Sequence, residues 1–360
     1  MSLPDPDTDS SCTVWSKDHE YFDRKLVDNV PSLLNDVLHN VIRPNSARLR
    51  AADTRYRLDD LLSAMLEHAP HPSGQRYVAV SLYVAHQKGE DGVVNAAKAW
   101  LDNLILPMLA VSKAIKIEPP PLHPPAAYMT PQPFSPGDQC IQVARREQYF
   151  CAITKAFDSA RALELMGSRH RDEIPVRPQQ FMQAARIMPF LLDEFNDTIA
   201  QVTDSAHSWH DMLQSWTQIS LDTFVEANIN SPANAIYMTM QEHFVFRNFL
   251  FYLDKDVYPD NPNKYKLRMP RAANLCLSNG LTEADVEFPT LGESSVEPPN
   301  AYYLKVHAAF AKVLHLSGVS DYVGGVEWDA EMEETLSLFG KTDFAKDFAS
   351  VLRSKPTLAY

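Results

Sequence analysis

Between Glu118 and Gly137 the chain carries Pro119, Pro120, Pro121, Pro124, Pro125, Pro131, Pro133 and Pro136. No helix or strand is expected to run through such a stretch, because each proline removes a backbone donor and fixes φ. The segments on either side must therefore bury their apolar faces in separate structures, and residues 118–137 read as an extended linker. A proline-rich ligand for SH3- or WW-type domains, and so a protein partner, is the functional alternative for the same residues.

Ahead of the linker, residues 1–117 read as a mostly helical region. Arg57 to His68 places Leu58, Leu61, Leu62, Met65 and Leu66 at the spacing of an amphipathic helix. After the turn His71-Pro72-Ser73-Gly74, the β-branched and aromatic run Tyr77 to Val84 is read as a strand, with a buried helix as the alternative. Gly92 to Ala114 is again helical in its spacing, with Pro107 as the point where it kinks or ends. Beyond residue 256, Asn300 to Leu316 sets Tyr303, His307, Phe310 and Leu314 on one helical face, and that helix is expected to pack on the central module. Glu327 to Glu334 is acidic and reads as a solvated face, followed by two short amphipathic helices.

A chain of 360 residues with 45% hydrophobic and 22% charged residues can bury a substantial core. No apolar run approaches the ~18 residues that span a bilayer, so a soluble protein without a membrane partner is expected. Met1 to Ser11 is acidic and polar, unlike a secretory signal or an Arg-rich transit peptide, which leads to an expected nuclear or cytoplasmic location. Cys12, Cys140, Cys151 and Cys276 are too scattered for a disulfide framework, and none forms a C-x-x-C pair. A net charge of -13 opposes phosphate binding unless a local basic face exists. Arg145, Arg146, Arg169, His170, Arg171, Arg177 and Arg186 are the candidates for such a face and for DNA contact, with Glu147, Asp172 and Glu173 interleaved.

Three pieces of the stretch from Arg145 to Tyr252 carry the chemistry. The first is Arg145-Arg146-Glu147-Gln148-Tyr149-Phe150-Cys151-Ala152-Ile153-Thr154, the second Ala184-Ala185-Arg186-Ile187-Met188-Pro189-Phe190. The third is Asn230-Ser231-Pro232-Ala233-Asn234-Ala235-Ile236-Tyr237-Met238-Thr239, followed by Glu242-His243-Phe244-Val245-Phe246. In order and content these resemble the HNH-type nuclease module of the ββα-metal class as it occurs in fungal HNH-domain proteins. The first piece resembles the Cys-x-(Val/Ile)-Thr-(Gly) strand that opens those proteins, with Lys155 where glycine is usual. Leu62 to Ala110, Phe249 to Tyr252 and the helix after Pro298-Pro299 resemble their flanking regions.

The resemblance implies a hairpin and helix holding one divalent metal, such as Mg2+, Mn2+, Ni2+ or Zn2+. A strand histidine acts there as general base toward water while the metal neutralises charge on the scissile phosphate. Asn234 matches the central, orienting asparagine and His243 the metal-ligating helix histidine. Arg186 stands at the first histidine's position, and Ala185 where some relatives have an acidic ligand. Arginine is not deprotonated near neutral pH, so it cannot serve as a general base, and its charge repels a cation. Glu242, or the pair Asp193 and Glu194, is the alternative source of oxygen ligands for a magnesium-like ion. His207 and His210 read as surface histidines, and Trp209 and Trp216 as core residues.

The expected fold is α+β: a helical N-terminal region, a degenerate ββα-metal (HNH) core over residues 138–256 with an insertion between Phe190 and Asn228, and a C-terminal loop and helical region over 257–360. The helix-like stretch Trp209 to Val225 is expected to cover that core. Two functions follow from the resemblance. One is a metal-dependent endonuclease, a hydrolase of nucleic-acid phosphodiesters with an unconventional base. The other is a catalytically inactive HNH-fold protein that binds or interacts.

Overall fold

The computed structural model describes residues 34–89, 91–114, 136–188, 206–220, 224, 229–269, 277, 283–290 and 295–320. It is mixed helix and small sheets, an α+β protein. Two compact units divide the chain: residues 1–114, 192–221 and 312–360 form the first, 115–191 and 222–311 the second. Each is described by itself. Most of the proline stretch, Asp193, Glu194 and the acidic segment Glu327 to Glu334 lie outside the described residues.

In the first unit a π-helical turn, Val37–Ile42, leads into α1 (Arg43–Ala52), followed by α2 (Leu58–Glu67), α3 (Pro72–Gln87) and α4 (Gly92–Trp100). A second π turn, Leu101–Ile105, joins α4 to α5 (Leu106–Ala114). The helix expected over 92–114 thus passes Pro107 without ending. The wider π ladder immediately before the proline takes up the bond its ring would otherwise disrupt.

Tyr77 to Val84 is a correction: it lies inside α3 and is not a strand. Pro72 opens the helix, and His71 caps it by accepting a hydrogen bond from the Ser73 N–H at 3.1 Å. Tyr77, Val78, Ala79, Val80, Ser81 and Leu82 are all buried, because α3 packs against α2 and α4 and is covered on several sides. A helix buried nearly all round has no polar face to reveal its period, so its apolar run looks like a strand.

The second unit opens with α6 (Pro136–Arg146), which takes in the last two residues of the expected linker. Gln148 and Tyr149, both at positive φ, end it as the Tyr149 N–H bonds the Ala144 carbonyl at 2.8 Å. Cys151 to Thr154 is a turn and not the strand expected from the resemblance. The Thr154 N–H points at the Cys151 sulfur, 3.3 Å away, and the Ala152 N–H bonds the Tyr237 carbonyl at 2.8 Å. After it come β1 (Phe157–Asp158), α7 (Ser159–Met166) and β2 (Gln179–Gln180), with β1 and β2 paired in parallel.

β3 (Met182–Arg186) follows. The chain then returns to the first unit for α8 (Ala206–Thr217), which packs on α3, and Trp216 there donates its Nε1–H to the Met65 carbonyl at 3.1 Å. The helix expected to cover the central core belongs instead to the helical unit, because its fully buried Trp216 sits among α2 and α3.

β4 (Ala235–Thr239) pairs antiparallel with β3, from Met182 opposite Thr239 to Arg186 opposite Ala235. α9 (Met240–Arg247) begins without a linking residue: Thr239 is its cap, accepting from the Glu242 N–H at 3.3 Å. Phe249, at φ 57°, closes it, and the Leu250 N–H bonds the Val245 carbonyl at 3.0 Å. Next, β5 (Tyr252–Asp254), β6 (Lys264–Arg268) and β7 (Asp285–Glu287) make an antiparallel meander. Ala185, Ile236, Met238, Phe246, Leu253, Leu267 and Val286 fill one core between hairpin, α9 and meander.

The last helix, α10 (Ala301–Leu316), starts where the Asn300 side chain accepts from the Tyr302 N–H at 2.8 Å. Its His307 ring stacks on Phe246, centroids 3.9 Å apart, and donates Nε2–H to the Phe246 carbonyl at 3.1 Å. The expected packing of this helix on the module is therefore present.

Candidate functional site

A hairpin running directly into a helix positions three of the sequence's candidate residues, Arg186 and Asn234 at the end where β3 exits and β4 enters, and His243 on the helix that follows β4. Asn234 sits just before β4 and is fully buried. Its Oδ1 accepts from the Met188 N–H at 2.9 Å, while its Nδ2 donates to the carbonyls of Met188 and Ile229, both at 3.1 Å. The Asn234 backbone carbonyl accepts from the Ile187 N–H at 2.9 Å. The side chain thus ties the exit of β3 to the entry of β4, and its polar capacity is directed at backbone rather than at solvent.

Arg186, half-buried, is the last residue of β3 and donates from Nη2 to Asn230 Oδ1 at 2.8 Å. His243 lies one turn before Arg247 on α9, on the same helical face. Its Nδ1 is 2.7 Å from Gln183 Oε1. With the carbonyl oxygen of Gln183 as partner, Nδ1 carries the hydrogen and Nε2 the lone pair, an assignment made from that partner. Burial, and then the charges of Arg247 and Arg186, push the imidazole down to about 4. At neutral pH it is uncharged.

Glu242 is fully buried beside it in sequence, but successive residues on a helix point about 100° apart. Ala185, also fully buried, brings no donor atom to the hairpin. Among the described residues no three His, Cys, Asp or Glu side chains come together as a metal-holding group. A fixed guanidinium whose charge reaches the ring and a donor-free Ala185 do not fit a divalent-metal centre, whereas the Nδ1–H held by Gln183 leaves the His243 Nε2 lone pair available to one.

The basic residues divide by burial. Arg146 is a correction: it is buried, not part of a surface patch. Its Nε donates to Glu147 at 2.9 Å, Nη1 to the carbonyls of Pro232 and Glu297 at 2.8 Å each, and Nη2 to the Ala235 carbonyl at 2.7 Å. It thereby clamps the start of β4. Arg145, Arg169, Arg171 and Arg177 are exposed, and His170 pairs with Glu173 at 2.7 Å. His210 is half-buried on α8, while the side chains of His207 and Trp209 lie outside those described.

Gln183 and Asn230 escaped the sequence reading. Neither has a spacing rule: Asn230 was visible only as part of a motif, and Gln183 only as the residue three before Arg186. A third pair, also missed, lies behind β4: the Tyr237 hydroxyl donates to Asp158 Oδ2 at 2.6 Å. Burial pushes the Asp158 carboxyl up, against the lowering effect of that bond.

No family model, no curated protein and no solved structure matches this chain.

Proposed function

We propose that β3, β4 and α9 are a degenerate ββα-metal (HNH) core, retained as a scaffold, and that the protein acts by binding rather than by hydrolysis. Support comes from the order of parts: a hairpin, an asparagine tying its two strands where β3 exits and β4 enters, and a helix presenting a histidine toward the first strand. The observation that carries the non-hydrolytic half is Arg186. At the position where the resemblance requires a proton acceptor, the chain has a permanent cation bonded to Asn230, with its charge felt at His243.

A second reading, a metal-dependent endonuclease with an unconventional base, is favoured by one feature. His243 is neutral at pH 7 and has its lone pair on Nε2, the state in which imidazole ligates a metal. Titration with Mn2+, followed in the imidazole proton resonances of His243 and assigned by comparison with His243→Gln, separates the two. The binding reading expects those resonances to stay sharp at equimolar Mn2+; selective broadening in the native protein would overturn it.

A further inference from the structure

We draw no further inference here: the strongest candidate, the exposed apolar surface patch formed by Leu163 and Met166 on α7 with Phe181 after β2, lies among arginines and carboxylates that balance, and nothing in the structure shows what covers it.

Discussion

The His243 imidazole gives its Nδ1 hydrogen to Gln183 Oε1 across 2.7 Å, so that a strand residue fixes the tautomer of a helix residue. Buried there, His243 is pushed down to about 4, and His307, stacked on Phe246, is pushed down by burial to about 3.

Acid sensitivity follows. Both groups titrate near 6.5 when free and lower when folded, so between these values the unfolded chain binds more protons. Their contribution is present in full above 6.5 and is lost as pH falls toward about 4 for His243 and about 3 for His307. Each unit of separation corresponds to about 1.4 kcal/mol. Urea unfolding near neutrality and at about pH 5 should show a clear loss of stability in acid. His307→Phe should reduce that slope, and an unchanged slope would contradict the assignment.

Asn234 ties β3 to β4 through three side-chain bonds to backbone groups. Asn234→Ala should destabilise the protein by about 3 kcal/mol, since buried backbone groups lose partners. Asn234→Asp keeps the acceptor for Met188 N–H but sets a carboxylate against two carbonyls, and should be at least as damaging. Denaturant midpoints of the two variants check this; an Asn234→Asp protein as stable as the native one would contradict it.

Lys155 lies at φ 58°, in the left-handed region, directly after the Cys151 to Thr154 turn. Lys155→Gly relieves the clash of Cβ with the following carbonyl and should stabilise the fold by about 1 kcal/mol. Thermal melts read it, and a lower midpoint would contradict the account.

Gly74 on α3 faces the Trp216 backbone so closely that a Cβ would come within 2.0 Å of the Trp216 carbonyl oxygen. Gly74→Ala should therefore cost about 3 kcal/mol by forcing the two helices apart, although alanine is the better helix former. A stabilised Gly74→Ala protein would show that the two helices do not approach as described.

What was legible in the sequence depended on how much of each element's surroundings the chain itself encodes. Arg57 to His68 and Asn300 to Leu316 present a polar face and an apolar one, and both are helices. Tyr77 to Leu82, buried within α3, has no polar face to display a period. Arg186, Asn234 and His243 stand out in the sequence through the order of their motifs, and Lys155 occupies a left-handed conformation of the kind glycine favours. Gln183, Asn230 and the buried clamp of Arg146 depend on contacts between residues up to 151 positions apart, which no local pattern encodes.

Cleavage of supercoiled plasmid by the purified protein in Mg2+, Mn2+, Ni2+ or Zn2+, beside His243→Ala and Arg186→His, decides between a binding scaffold and a hydrolytic site. The account expects no metal-dependent nicking by the native protein or by His243→Ala, with any gain confined to Arg186→His, where an ionisable imidazole replaces the fixed cation. Nicking by the native protein that disappears in His243→Ala would contradict it and establish a working hydrolytic site.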